Sequence, residues 1–213
     1  MLTVNFDLLK VNRGERVLDA GCGSGRHTLH LCKMPCVVIA MDLVKEELMR
    51  AKYFIALMDG RKEKAALCET LIADVHHLPF RDESFHNIVC SEVLEHIADD
   101  TLGLSELVRT LIKGGEIAIS VPTFFSEALF GTLSKEYFNT PGGHIRKYRA
   151  RALAGMIYDQ PLTILAVRHE HSFHTAYWLL RCIFGLHREK ALIPRLYKKL
   201  LDWSITSRSL KPF

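Results

Sequence analysis

Asp19, Asp42 and Asp74 each close a short apolar run, and Gly21, Gly23 and Gly25 follow the first of them at alternate positions. An acid at the tip of a buried strand can accept hydrogen bonds from ligand hydroxyls or amines, and each charge-assisted contact contributes about 1.5–3 kcal/mol. Glycines after a first strand let the backbone turn sharply and approach a ligand closely. The helix expected next, "SGRHTLHLCKM" (24–34) with Ser24 as N-cap, offers amide N–H groups to a negative group. His96 in "EVLEHI" and His144 in "GGHIRKY" carry imidazoles that titrate near neutral pH, the property wanted of a general base. Arg146, Lys147 and Arg149, close behind His144, suit an anionic group. Cys32 and Cys36 are three residues apart in the gap between them, but no second pair or matched His spacing follows, and no metal site is expected.

Strand and helix signals alternate over the first 120 residues. "RVLDAG" (16–21), "CVVIAMD" (36–42), "ETLIAD" (69–74), "HNIVCSE" (86–92) and "GEIAISVP" (115–122) read as strands. Helices are expected over 24–34, over 45–58, where Leu48, Ala51, Ile55 and Met58 recur at helical spacing, and over 99–113, stopped by Gly114 and Gly115. This alternation predicts an α/β fold, doubly wound around a mainly parallel sheet with helices on both faces. In such sheets ligands sit at the carboxyl ends of the strands, near the point where strand order reverses. After Pro122 an aromatic helix-prone stretch, a glycine loop, a helix (149–159), a strand "LTILAVRHEH" (162–171) and two helices (about 173–185 and 193–206) are expected.

The totals suit one domain across 1–213, with 48% apolar residues to build a core. Scattered cysteines, no charged leader before an apolar stretch and no long uncharged apolar run lead us to expect a soluble, cytoplasmic chain. The net charge of +4 hides an asymmetry: residues 1–142 carry 15 Lys and Arg against 20 Asp and Glu, and residues 143–213 carry 13 against 4. A basic final third implies an anionic substrate, an acidic partner or a membrane surface, or a solvated face that meets nothing.

"VLDAGCGSG" resembles the nucleotide motif of class I S-adenosylmethionine-dependent methyltransferases, with its D-x-G-x-G-x-G spacing met in full. "AMD", "IAD", "LPFRDESFHNIVCSEVLEHI" and "LIKGGEIAISVP" follow in that family's order. Together they resemble the type 11 branch, which includes the ubiquinone and menaquinone biosynthesis methyltransferases, over a cofactor-binding core of about 14–122. The resemblance implies S-adenosyl-L-methionine as cofactor and S-adenosyl-L-homocysteine as product. It assigns the turn from Asp19 through Ala20, Gly21, Cys22, Gly23 and Gly25 to the methionine end, and Asp42 with Leu43 to the ribose. Asp74 and Val75 go to the adenine, and Ser91, Glu92 and Val93 lie beneath the cofactor. Two departures stand out: His86 replaces the family's usual Asp, and no confident final hairpin follows Leu196.

The implied reaction is an in-line methyl transfer, for which holding nucleophile and methyl at near-attack distance supplies about 7–11 kcal/mol. His144 and His96 are the candidate bases, and Tyr137, Arg146 and Tyr148 the candidate acceptor contacts, within a substrate-side lid of about 123–150. The acceptor is expected to be a small molecule, lipophilic or anionic, methylated on oxygen or carbon. A nucleic-acid methyltransferase would favour an Asn/Asp-Pro-Pro-aromatic motif where this chain has "SEVL". An NAD-dependent oxidoreductase would want its third glycine at position 26, where Arg26 stands. The C-terminal helices (about 172–207) are basic and amphipathic, with Trp203 beside Leu196 and Leu200, so peripheral membrane contact and a homodimer are further expectations.

Overall fold

A computed structural model describes residues 2–122 and 143–168. The chain divides into two compact units, residues 1–122 with 148–166, and residues 123–147 with 167–213. Tyr137, the rest of 123–142 and the C-terminal helices lie outside the described residues.

The first unit is built on five strands: β1 (Arg16–Ala20), β2 (Val37–Asp42), β3 (Leu67–Ile72), β4 (Phe85–Ser91) and β5 (Leu111–Ser120). All pair in parallel, in the order β3-β2-β1-β4-β5, so the chain reverses direction across the sheet between β1 and β4. Helices α1 (Arg26–Leu31), α2 (Lys45–Gly60), α3 (Asp100–Thr110) and α4 (Ala150–Tyr158) accompany it. This is the doubly wound α/β architecture that the alternating pattern requires.

Side chains of successive strand residues go to opposite faces, and the core divides accordingly. Leu18, Ala20, Met41, Ile88 and Cys90 pack with Leu107 and Tyr148 on one face, where Leu153 and Met156 of α4 join them. Val17, Val38 and Val89 pack with Leu31, Val4 and Leu9 on the other. Strands buried on both faces need near-continuous apolar runs, which is why "CVVIAMD" shows no alternation.

Three local expectations are corrected. Helix α3 ends at Thr110 rather than 113, because the next residues are claimed by the sheet: Leu111 pairs with Phe85, while Glu83 and Ser84 N–H donate to the Arg109 and Thr110 carbonyls. Gly114, at φ 77°, therefore lies inside β5 instead of stopping a helix. Helix α1 is short and begins after Gly25, in left-handed conformation, with no side-chain cap from Ser24. Residues 162–168 form no strand, and Leu165 and Val167 are exposed; β-branched residues extend only where a neighbouring strand accepts them.

Arg109 fixes the long connection between β3 and β4. Its guanidinium donates to the Phe80 carbonyl (2.9 Å), the Leu78 carbonyl (3.2 Å), Asp82 (2.7 Å) and Glu106 (2.7 and 2.9 Å). Glu106 in turn accepts from the Leu78 N–H at 2.9 Å. A lysine keeps the charge and loses the planar fork that reaches two carbonyls at once. Arg109→Lys should therefore destabilise the fold by about 1–3 kcal/mol, read as a lower urea midpoint; an unchanged midpoint would show that the connection holds without it.

Candidate active site

The carboxyl ends of β1, β2 and β4 converge on the glycine bend that links β1 to α1. Gly21, Gly23 and Gly25 all have positive φ (69°, 52° and 90°), a region that side-chain-bearing residues enter at a cost. Space differs among them. A Cβ on Gly21 would stand 2.3 Å from a Val93 methyl, and one on Gly25 would stand 3.0 Å from the Ala51 Cβ. Gly23 has nothing within 4 Å on that side, so its open flank is the face a ligand can approach.

Two acids hold the bend from opposite sides. Asp42, half-buried at the tip of β2, accepts from the Gly23 N–H (2.8 Å) through one oxygen and from the Val44 N–H (2.8 Å) through the other. Asp19, on β1, is 1% exposed and accepts from the Thr28 hydroxyl at 2.5 Å. The Thr28 amide also bonds to it, so Asp19 serves the first turn of α1 as the cap that Gly25 cannot provide. Burial dominates its titration and pushes the carboxyl up to about 6 against the Thr28 bonds. Burial by the same packing holds the neighbouring Cys22 thiol well above its ordinary range.

Asp74 follows β3, and one oxygen accepts from both the His76 N–H (2.9 Å) and the His76 ring nitrogen Nδ1 (2.7 Å). The His76 amide holds its carboxyl below the usual carboxylate range. His76 Nε2 accepts from the Asp99 N–H at 3.4 Å, tying this turn to the start of α3. Val75 is buried in the core, whereas Leu43 is exposed beside Asp42.

At the tip of β4, Ser91 is buried and meets the Thr3 hydroxyl at 2.5 Å and the Ser120 hydroxyl at 2.8 Å. Thr3 also donates its N–H to His27 Nε2 at 3.2 Å. This contact requires an unprotonated Nε2, and burial lowers His27 to about pKa 4. Glu92 has a positive φ of 56°, pairs with Arg26 at 3.1 Å and donates its N–H to the Ser120 carbonyl. His86, the departure from the family pattern, accepts from the Arg16 N–H at 3.2 Å, at the opposite end of the sheet from the bend.

The candidate bases and acceptor contacts belong to both units. His96 is exposed in the turn after β4, its N–H bonded to the Val93 carbonyl. His144 and Arg146 are half-buried within the second unit. Tyr148 belongs to the first unit and is buried, its hydroxyl donating to Asp100 (2.5 Å) and the Leu94 carbonyl (3.3 Å). Sequence reasoning passed over Thr3, whose partners are 24 to 117 residues away, and Glu95, a carboxylate only 1% exposed between Leu94 and His96. Glu95 carries a legible signal: an acid inside "VLEHI" stands where the flanking Leu94 is fully buried.

Comparison with known proteins places this geometry. Residues 18–119 match the family model described as a methyltransferase domain. The chain is 32% identical to the O-methyltransferase cnsE of Penicillium expansum over 111 residues, which is 51% of this chain and 38% of that protein. It is 30% identical to the demethylmenaquinone methyltransferase of Corynebacterium efficiens over 129 residues, 61% of this chain and 51% of that one. The structure of the YcgJ protein from Bacillus subtilis superposes with a TM-score of 0.66 at 20% identity, over 87% of this chain and 78% of that chain. The chain spans about half, or less, of the length of the curated relatives it matches.

The two buried titratable groups beside the bend have opposite pH slopes. Asp19 titrates at about 6 in the fold against 3.8 unfolded, so the folded state binds the extra proton and stability falls as pH rises through that window. His27 titrates at about 4 against 6.5, so the folded state binds fewer protons and stability rises with pH between those values. Each amounts to something on the order of 3 kcal/mol, and they largely offset one another. Asp19→Asn should therefore unmask a stability that climbs from pH 4 to 6.5, and His27→Gln one that declines from about pH 4 to 6. Chemical denaturation of both variants across this range checks it; parallel profiles would show that neither group titrates as its burial demands.

Proposed function

We propose, from the membership of residues 18–119 in the methyltransferase domain family, type 11 of class I, that this chain methylates a small-molecule acceptor. The methyl group would come from S-adenosyl-L-methionine, which supplies a sulfonium-activated methyl and a good leaving group. The observation that carries this reading is the Gly23–Asp42 pairing. It sets an open glycine flank beside a half-exposed carboxylate at the point where strand order reverses.

The residues present fit that cofactor. The amides of 21–25 and the open flank of Gly23 suit the methionine end, with Ala20, Cys22 and the buried Asp19 holding the bend rather than meeting the ligand. Asp42, which still has lone pairs beyond its two amide donors, suits the ribose diol, with Leu43 next to it. Asp74 and the Val75 amide suit the adenine, and Ser91, Glu92 and Val93 close the floor after β4. His144, or else His96, would take the proton from an acceptor hydroxyl, and Tyr137, Arg146 and Tyr148 would shape the acceptor side within 123–150. The whole chain would then work as one methyltransferase domain on a lipophilic or anionic acceptor, with methylation on oxygen or carbon. The basic final third would favour anionic acceptors or a membrane surface. Among the described residues no helix is long and apolar enough to cross a membrane.

Calorimetric titration with S-adenosylhomocysteine tests the cofactor assignment, with NADH as the competing ligand. Binding of NADH alone would replace methyl transfer by dinucleotide chemistry. Asp42→Ala should weaken S-adenosylhomocysteine at least about tenfold, the loss of roughly one charge-assisted contact, and unchanged affinity would remove Asp42 from the ribose. Gly23→Ala should weaken it further, because the new methyl enters the open flank. Its stability should drop by only about 1–2 kcal/mol, for the left-handed backbone. Gly21→Ala should instead unfold the bend, through contact with Val93.

Turnover is followed by transfer of tritiated methyl to the small-molecule fraction of a cell extract. His144→Ala should slow that transfer while leaving S-adenosylhomocysteine affinity intact; full activity would take His144 out of the reaction.

A further inference from the structure

We propose that Cys32 and Cys68 are an oxidisable dithiol, a modification site at which a hydroperoxide closes a disulfide between the C-terminal end of α1 and the edge strand β3. This inference is independent of the methyl-transfer reading, since neither cysteine belongs to the glycine bend.

The backbone brings the two residues together. Cys32 is the C-cap of α1, and its carbonyl accepts from both the Ala65 N–H (2.8 Å) and the Ala66 N–H (3.1 Å). Those bonds stitch the chain entering β3 onto the helix end, and the Leu67 N–H continues them by donating to the Cys36 carbonyl at 3.0 Å. One residue later Cys68 stands in register with Val38, so its side chain takes the same face of the sheet as Val38 and points toward the helices. There it packs against the cluster of Cys32, Ile55 and Met58. Cys32 is fully buried, whereas Cys68 is half-buried on a strand with one sheet neighbour among the described residues, which leaves it the member that solvent can reach.

The other described thiols are poor candidates. Burial raises Cys22 and Cys90 well above the ordinary thiol range and Cys36 to about 11, and the Cys36 thiol is spent on the Leu31 carbonyl at 3.6 Å. Cys32 alone is shifted the other way, held down by a hydrogen bond from the Cys68 thiol and assisted by the Lys64 ammonium. The two sulfurs are thus within hydrogen-bonding reach of each other, the juxtaposition that a disulfide requires.

The chemistry balances with a hydroperoxide as the oxidant. With hydrogen peroxide, the Cys68 sulfur attacks the O–O bond, giving a sulfenic acid and one water. The Cys32 sulfur then displaces that oxygen, its own proton leaving in a second water, and the S–S bond forms. Two thiols are oxidised, one peroxide is reduced to two waters, and a dithiol reductant reverses the bond. The closed form would clip the helix that begins at the glycine bend to the strand that leads to Asp74.

The test uses the full chain, treated with hydrogen peroxide while folded, then alkylated in denaturant and digested with trypsin. Cleavage separates the three cysteines into peptides 27–33, 34–45 and 65–81. The expected product is 27–33 joined to 65–81, lighter by two hydrogens than the sum of the free peptides and released by dithiothreitol. Cys68→Ser should abolish the joined product and leave 27–33 fully alkylated, and Cys36→Ser should leave the product unchanged. Three results would overturn the proposal: peptide 65–81 carrying sulfinic or sulfonic acid with 27–33 untouched, either peptide joined to another cysteine peptide, or both recovered as alkylated thiols.

Discussion

A buried carboxylate fixes the geometry on which the site depends. Asp19 lies in the middle of the sheet, on β1, and spends its hydrogen-bonding capacity on the hydroxyl and amide of Thr28. Helix α1 has only six residues and a glycine at its N-cap, and is too short to be stable from propensity alone. Docking of Thr28 onto Asp19, together with Leu31 in the apolar core, therefore sets where the helix begins. The glycine bend is the chain between two fixed points, Ala20 and Arg26, and its three left-handed residues are the way to span them. Desolvation makes Asp19 an expensive anchor, and an uncharged residue would be easier to bury. What the charge supplies is direction, since acceptors on one side chain take two donors from the helix start.

The acids at the strand tips thus divide the work by burial rather than by type. Asp19 faces inward and holds structure. Asp42 stays half-exposed and grips the same bend through the Gly23 amide. Asp74 shares an oxygen with His76, which links it onward to the start of α3. Arg109 and Glu106 hold the connection that follows. Asp19 is sealed in the core, whereas Asp42 and Asp74 are both partly exposed at the ends of their strands.

Much of this was legible in the chain. Alternating strands and helices indicate the parallel sheet because each apolar run is bounded by turn residues, and D-x-G-x-G-x-G marks the bend because glycine enters the left-handed region at little cost and does so here at three alternate positions. The mistakes have a common cause: local signals were overruled by partners distant in sequence. "LIK" after α3 looks helical until Phe85 offers Leu111 a place in the sheet. "LTILAVR" looks extended, yet no strand among the described residues receives it, and it stays irregular. Ser24 is a good cap by type, but Asp19 already supplies the acceptor that the helix start needs. Thr3 gave no signal at all, since a lone threonine near the N-terminus acquires meaning only when Ser91, Ser120 and His27 are brought to it.

Glu92 shows how strain is placed at the reversal point. A non-glycine residue at φ 56° carries a penalty of about 1–2 kcal/mol, and this one sits directly after β4. Glycine would relieve the penalty and keep the amide bond to the Ser120 carbonyl, so backbone geometry does not explain the residue. The carboxylate does. It reaches Arg26, the first residue of α1, at 3.1 Å, joining the start of that helix to the exit of β4 across the gap where strand order reverses. That gap lacks a crossing connection by construction, because the chain leaves it in opposite directions on either side. An exposed ion pair is worth less than the strain it accompanies, so its effect is on position: it sets Arg26, and with it the last glycine of the bend, against the floor formed by β4.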